Sequence, residues 1–281
     1  MTSQDTNYTY NFSGKSLNFL HPVVMGILNI TPDSFFDGGR YDNEKSIIEQ
    51  VEKMLSEGAS IIDIGANSTR PGATEVSENE ELERLLPVIK NIRKRYDKAI
   101  ISADTFRSGV ARKAFEAGAD IINDISGGTM DKNMFVTVAD IRAPYILMHI
   151  QGTPKNMQND PQYTDVVHEV KSFFQKKIQQ LNNSGVQQII IDPGFGFGKT
   201  VSHNFSLLKN LKEFGSFGYP VLAGLSRKSM VNKVLGTVPA NALNGTSVLN
   251  TLALLNGASI LRVHDVKEAI ETIKLIQEYL I

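Results

Sequence analysis

Eight short apolar runs alternate along this chain with longer amphipathic stretches, and this alternation constrains the fold more than any other feature. The runs lack an apolar–polar alternation, which is typical of strands buried on both faces of a parallel sheet. We predict strands at 24–30, 60–65, 99–104, 120–125, 144–150, 187–192, 219–225 and 258–264. We predict helices at 44–57, 78–96, 107–117, 161–183, 203–213, 245–256 and 265–280.

This order of elements predicts an α/β protein with a (β/α)8 TIM barrel, because eight is the number of parallel strands that closes such a barrel. An open, doubly wound sheet has the same local pattern and is the alternative. The absence of a low-complexity linker favours one barrel domain over residues 23–281. Residues 1–22 precede the first strand. We predict that they form an N-terminal extension with a short β-hairpin over the barrel floor.

Composition narrows the possible partners. The 281 residues carry a formal net charge of −1, which gives no basic surplus for binding nucleic acid. The chain has no cysteine, so disulfides and thiolate metal sites are excluded. No apolar stretch has the length of a signal peptide or approaches the ~20 residues that cross a bilayer. We therefore expect a cytoplasmic protein without nucleic-acid or membrane partners.

Polar side chains stand at the carboxyl ends of the predicted strands. In a barrel these ends share one face, where the active site is built. Taken singly, each has a simpler explanation: Asp104 could only cap the next helix, and His149 could be a buried histidine without a role. The whole set favours one shared site. Its members are Asn29, Asp63, Asp104, Asn123, His149, Asp192, Ser226, Lys228, Arg262 and His264.

The segments after the strands add charge and flexibility to the same face. Residues 31–39 end in two glycines and are expected to be mobile, and residues 67–72 add Arg70. Residues 192–199 are glycine-rich but lack P-loop spacing, and they could be only a turn. Residues 226–229 open a predicted helix with two cations, which predicts an anion site, although a capped, solvated helix start is the alternative.

Seven sequence motifs resemble the dihydropteroate synthase family, in the family's order, from about residue 23 to the C-terminus. This resemblance implies a transferase of folate biosynthesis. Such an enzyme condenses (7,8-dihydropterin-6-yl)methyl diphosphate with 4-aminobenzoate and releases 7,8-dihydropteroate and diphosphate. It also implies Mg2+, sensitivity to sulfonamides and a homodimer. The motifs span 26–35, 63–72, 123–128, 148–154, 192–199, 226–229 and 262–264.

The resemblance also implies roles for individual residues. A carboxylate can accept from the adjacent N–H groups of a pterin edge, and an amide can complete the edge because it both donates and accepts. Pterin would be bound by Asp104, Asn123, Met148, Asp192, Lys228 and Arg262. Diphosphate would be bound by Asn29, Thr69, Arg70, Arg262 and His264, with Asn29 as the Mg2+ ligand. The aminobenzoate would contact Pro71, Phe197 and Ser229. The catalytic residues would be Asp33, Arg70, Arg262 and His264.

Three other functions compete with this interpretation. A corrinoid methyltransferase that uses methyltetrahydrofolate would share the barrel and the pterin contacts, but it has no diphosphate to bind. A non-catalytic pterin-binding paralogue would have lost chemical residues, whereas the motifs here are intact. A phosphate-handling aldolase would need a Schiff-base lysine inside a strand, and candidates for one are few. Diphosphate release separates the synthase from the first two.

Overall fold

The computed structural model describes residues 8–12, 14–30, 40–67 and 76–281. Its strands are β1 Thr9–Phe12, β2 Lys15–Asn18, β3 Val23–Asn29, β4 Ile61–Gly65, β5 Ile100–Asp104, β6 Ile121–Asp124, β7 Tyr145–Met148, β8 Ile189–Asp192, β9 Leu222–Ala223 and β10 Ile260–Val263. Its α-helices are α1 Arg40–Ser56, α2 Glu78–Arg95, α3 Ser108–Glu116, α4 Met134–Asp140, α5 Val166–Asn183, α6 Val201–Lys209, α7 Ser229–Leu235, α8 Leu243–Leu255 and α9 Val266–Tyr279. Two 3-10 helices span Leu211–Phe217 and Pro239–Asn241.

The eight strands β3 to β10 form one parallel sheet in the order β8-β7-β6-β5-β4-β3-β10-β9. A parallel bridge between Ile191 and Val221 connects the two ends of this order and closes the cylinder. The Ile191 N–H donates to the Pro220 carbonyl at 3.0 Å across the closure. The predicted (β/α)8 barrel is confirmed, and the doubly wound alternative is wrong.

Several helices begin at residues that satisfy their first N–H groups. The Ser77 side chain accepts from Glu80 N at the start of α2, and Asp165 accepts from Val167 and His168 at the start of α5. Thr200 and His203 form a capping box at α6. These caps fix where each helix starts and therefore where the loop from the preceding strand ends.

The structure differs from the predicted elements most clearly in three places. Strand β9 has two residues, where we predicted 219–225, and Val221 lies outside it, in an isolated bridge with Ile191. Helix α4 was not predicted, because seven residues give too few turns for a clear helical period. The helix predicted at 203–213 is α6 followed by the 3-10 helix Leu211–Phe217.

The predicted N-terminal hairpin is present, with β1 and β2 paired antiparallel. Tyr10, Phe12 and Phe19 are buried against residues near the N-terminal ends of the barrel strands, such as Met25 and Ile61, and so cover the barrel floor. The Tyr10 hydroxyl donates to the Ile189 carbonyl at 2.6 Å, and Lys15 forms a salt bridge of 2.6 Å with Asp120. The division of the chain into domains at residue 22 stays a prediction.

Among the residues that the structure describes, no helix is long and apolar enough to cross a membrane.

Candidate active site

A buried carboxylate, Asp63, lies at the centre of a polar cluster inside the barrel mouth. Its side chain is fully buried and accepts from the Arg262 Nε at 2.7 Å and from the Asn123 amide at 3.1 and 3.3 Å. The Arg262 Nη2 also contacts Asp104 at 2.9 Å. Strands β4, β5, β6 and β10 therefore bring these four side chains together, as the strand-end pattern predicted.

Asn29 and Asp104 face the same point above β4. A Cβ placed on Gly65 would lie 3.6 Å from the Asp104 Oδ2 and 3.7 Å from the Asn29 Oδ1. Two side-chain oxygens from neighbouring strands therefore lie within contact distance of the same point beside Gly65. In the described part of the chain, no group of three or more His, Asp or Glu side chains is arranged to hold a metal.

Asp192 and Lys228 face the cluster from β8 and from the start of α7. The Asp192 Oδ1 accepts from Gly194 N at 2.7 Å, which leaves lone pairs on the carboxylate for a ligand. The Lys228 ammonium donates to the Phe195 carbonyl. A Cβ on Gly224 would lie 3.6 Å from the Lys228 Nζ and 3.9 Å from the Arg262 Cβ, so the two cations share one side of the mouth.

An apolar wall lies beside these charges. Met148 is buried with Phe106, Ile125, Ile150 and Met157, and the half-buried Phe197 packs against this cluster. The Lys228 Nζ lies 4.8 Å from the centre of the Phe197 ring. The mouth thus combines a flat apolar surface with donors and acceptors, which suits a planar heterocycle with a polar edge.

His264 and Ser226 hold each other at the carboxyl ends of β10 and β9. The Ser226 Oγ lies 2.9 Å from the His264 Nδ1 and accepts from the His264 N–H at 3.2 Å. Arg227, one of the two cations expected at the anion site, instead binds Asp265 at 2.7 Å and 2.9 Å. The charge of Arg227 is therefore paired with a carboxylate, and the anion site at residues 226–229 stays a prediction. Ser229 is exposed as the first residue of α7.

Burial shifts the titration of the charged groups in the mouth. It raises the pKa of Asp104 to about 8, with Asp63 adding to the shift and Arg262 opposing it. It also raises the pKa of Asp192, against the attraction of Lys228. Burial lowers the pKa of Lys228 to about 8, while Asp192 opposes the change. Perturbed pKa values of this kind concentrate at functional sites.

Two neighbouring groups beneath the mouth were not assigned from the sequence. Lys199 ends the glycine-rich segment 193–199, and its Nζ lies 3.0 Å from the His149 Nδ1. Burial lowers the pKa of Lys199 to about 7 and that of His149 to about 2, so the imidazole is neutral. The sequence pattern places His149 and Asp63 at strand ends but predicts no individual role for either. The sequence signal that could have identified Asp63 as a site residue is its position on β4.

Four of the predicted site residues lie outside the described residues: Asp33, Thr69, Arg70 and Pro71. The segment that we expected to be mobile, 31–39, also lies there. The described positions from β3, β5, β6, β7, β8, α7 and β10 stand around one mouth. The assignment of each side chain to a particular substrate stays a prediction.

This combination of a closed barrel and a polar mouth beside an apolar wall is that of a pterin-binding enzyme, and the family model "Pterin binding enzyme" matches residues 25–264. The dihydropteroate synthase of Escherichia coli (strain K12) is 44% identical over 266 residues, covering 94% of each chain. That of Haemophilus influenzae is 46% identical over 267 residues, covering 94% of this chain and 96% of its own.

Solved structures agree. A Yersinia pestis dihydropteroate synthase in complex with a sulfonamide drug has a TM-score of 0.91 and 42% identity, over 97% of this chain and 99% of its own. The Xanthomonas albilineans enzyme in complex with 7,8-dihydropteroate has a TM-score of 0.88 and 36% identity, with the same coverage of 97% and 99%. The chain therefore belongs to the dihydropteroate synthase family, and its activity is that of a transferase in folate biosynthesis.

Proposed function

We propose that the barrel mouth condenses (7,8-dihydropterin-6-yl)methyl diphosphate with 4-aminobenzoate to give 7,8-dihydropteroate and diphosphate. The observation that carries this assignment is the convergence of Asp104, Asn123, Asp192, Lys228 and Arg262 at one mouth. A related Xanthomonas albilineans enzyme, solved with 4-aminobenzoic acid, is 38% identical with a TM-score of 0.91. A sulfonamide would occupy the place of the aminobenzoate.

The pterin would lie with its polar edge against the carboxylate of Asp192. Asn123 is held by Asp63, so its amide is oriented before the ligand arrives. Lys228 donates from the opposite side, and Asp104 accepts from the reduced ring. A site built this way rejects analogues with misplaced donors, because its own buried polar groups would lose their partners. Met148 supports the ring from the apolar wall.

Arg262 would stack on the pterin and reach the diphosphate. Its contacts with Asp63 and Asp104 use Nε and Nη2 and hold the guanidinium plane in place, while the faces of that plane suit a flat ring. His264 is fixed by Ser226 and would bind the diphosphate with Asn29, Thr69 and Arg70. Asp33 would act from the segment after β3.

Magnesium fits the donors that this face provides. Mg2+ prefers oxygen ligands and is often held by one or two protein groups together with phosphates and water. The Asn29 amide oxygen would be the protein ligand, close to the Asp104 carboxylate. Bound there, the ion would neutralise charge on the leaving diphosphate.

The chemistry we propose is a dissociative substitution. The bond between the exocyclic carbon and the diphosphate oxygen breaks, and its electron pair leaves with the diphosphate, which Arg262, His264 and Arg70 stabilise. The carbon becomes a cation delocalised into the dihydropterin. The arylamine nitrogen then forms the new C–N bond and loses a proton to solvent. No strong base is required, because an arylamine is nucleophilic at neutral pH.

The aminobenzoate would bind between Phe197 and Pro71. Phe197 lies beside Lys228 and against the apolar wall, which places an aromatic face next to the pterin position. The carboxylate of the aminobenzoate would lie at Ser229, the first residue of α7, where unpaired N–H groups favour an anion.

Diphosphate release tests the proposal. A coupled assay should show release that requires both 4-aminobenzoate and Mg2+ and yields dihydropteroate in equal amount. No diphosphate release from the pterin substrate would point to a pterin binder or a methyltransferase and would overturn the assignment.

We also propose that the enzyme is a cytoplasmic homodimer. Helices α7, α8 and α9 pack in succession and expose large apolar side chains. On α8 these are Val248, Leu252 and Leu255, which share one helical stripe, and on α9 they are Leu275 and Tyr279. An exposed apolar face shared by neighbouring helices supports an interface with a second copy.

A further inference from the structure

The glycine-rich segment 193–199 ends in a lysine that is buried without a carboxylate hydrogen bond. Lys199 is 3% exposed. Its Nζ donates to the carbonyls of Gly194 at 2.9 Å, Phe197 at 2.9 Å and His149 at 3.3 Å, and it faces the His149 Nδ1. Lysine is almost never fully buried unless its charge is paired or hydrogen-bonded. Here backbone carbonyls, and no carboxylate, supply those hydrogen bonds.

The lysine joins two strand ends. Gly194 and Phe197 belong to the segment after β8, and His149 directly follows β7. The two segments are in close contact, because a Cβ on Gly194 would lie 2.0 Å from the His149 carbonyl oxygen, and one on Gly198 would lie 2.4 Å from that of Gln151. Both glycines have positive φ, of 72° and 62°, so the segment takes a path closed to other residues. Three carbonyl oxygens thus converge on one cation.

The segment carries two groups that contact Lys228 at the mouth. The Phe197 ring lines the mouth beside Lys228, and the Phe195 carbonyl accepts from the Lys228 ammonium. Phe197 N also donates to Gly194 O at 3.1 Å, so the turn that presents the ring is built on the same carbonyl that Lys199 holds. A change at Lys199 would therefore move the ring before it disturbed the strands.

We infer that Lys199 is a positioning residue: through its carbonyl contacts it fixes the Phe197 ring and so sets the affinity for the aromatic amine. The inference rests on the proposed function, since Phe197 is assigned there to the aminobenzoate. We assign Lys199 no direct contact with a substrate, because its side chain is buried. The His149 Nδ1 lies 3.0 Å from the same Nζ, and burial lowers the pKa of the imidazole to about 2, so the ring beside the lysine is neutral.

Lys199→Met tests the inference because it keeps the length and removes the donor. A misplacement of about 1 Å can cost about a hundredfold in rate, so we expect the KM for 4-aminobenzoate to rise at least about tenfold. The KM for the pterin diphosphate should change by less than about threefold, because Asn123 keeps its contact with Asp63, and Arg262 its contact with Asp104, outside this segment. Lys171→Met is the matched control: it removes a half-exposed lysine that pairs with Glu213 on the outer surface, and both constants should stay at the wild-type values.

Variants of His149 keep the test decisive if Lys199→Met does not fold. His149→Leu removes one acceptor and should raise the same KM, whereas His149→Gln supplies an oxygen in its place and should restore most of the affinity. Unchanged KM for 4-aminobenzoate in Lys199→Met, or in His149→Leu if that is the folded variant, would overturn the inference. So would equal rises for both substrates with a lowered Tm, which is the signature of general destabilisation. Failure of the wild-type enzyme to release diphosphate would instead refute the proposed function.

Discussion

At the scale of single residues, the mouth balances buried charges of opposite sign. Asp63, Asp104 and Asp192 face Arg262 and Lys228, and none of these contacts involves a surface pair. Buried ion pairs add little net stability, but removing one partner leaves an uncompensated charge. These charged groups are arranged to bind a polar ligand. We therefore expect the largest losses of affinity from substitutions that exchange a hydrogen-bond acceptor for a donor without changing the volume of the side chain.

Asp192→Asn makes such an exchange. The amide presents an N–H group where the pterin edge also presents N–H groups, and an unpaired buried polar group costs about 1–3 kcal/mol. We expect pterin affinity, measured by isothermal titration calorimetry, to fall by at least that amount. Asp140→Asn, in an exposed ion pair with Arg112, is the control and should bind normally. Wild-type affinity in Asp192→Asn would refute the role given to this carboxylate.

The lowered pKa of Lys228 predicts that the affinity for the pterin depends on pH. Burial lowers its pKa to about 8, so the charged donor form is lost as the pH rises through that value. Asp104, whose pKa burial also raises to about 8, deprotonates over the same interval, so the comparison with Lys228→Met isolates the lysine. We expect Lys228→Met to bind the pterin more weakly, and the ratio of wild-type to variant affinity to be steady near neutral pH and to fall above about pH 8, because the neutral amine no longer offers a cation to the ring oxygen. A ratio that stays constant or rises across this interval would contradict the assignment.

At the scale of elements, the sequence predicted the strands that are long and uniformly apolar. It could not give β9 its true length, since the path from Pro220 to Ala223 is set by contacts with β8 and β10. The convergence of Asp104, Asn123 and Asp192 followed from strand order alone. The hydrogen bonds of Lys199 did not, because its acceptors are backbone carbonyls from two segments and carry no side-chain signature.

The N-terminal hairpin should act on stability and not on catalysis. Phe12 is 2% exposed in the barrel floor, at the opposite end from the mouth. Large-to-small substitution of a buried phenylalanine costs about 3–5 kcal/mol, so Phe12→Ala should lower the free energy of unfolding in urea by about that amount. The kcat of the folded fraction should be unchanged. Val136→Ala, on the exposed face of α4, should have an effect below about 0.5 kcal/mol. A lost kcat in fully folded Phe12→Ala would show that the floor influences the mouth.

At the scale of the whole molecule, the floor, the mouth and the outer surface of the barrel differ in polarity. The floor is apolar and closed by the hairpin, the mouth is polar, and the outer helices α7 to α9 leave apolar side chains exposed. Sequence patterns place such side chains on a helix face, but a single chain does not show which face meets a partner.

A double substitution tests whether this face joins two copies. Leu252 and Leu275 are 39% and 72% exposed on α8 and α9, so Leu252→Glu with Leu275→Glu should leave the barrel intact. Two carboxylates per copy would lose hydration without a partner in an apolar interface, which is strongly unfavourable. We expect sedimentation equilibrium to give twice the chain mass for the wild type and the single-chain mass for the variant. The barrel of the variant should unfold in the same temperature range as that of the wild type. Val136→Glu places the same charge on an exposed apolar position of α4 and should stay dimeric. A variant that remains dimeric would move the interface to another face, and a monomeric wild type would refute the homodimer itself.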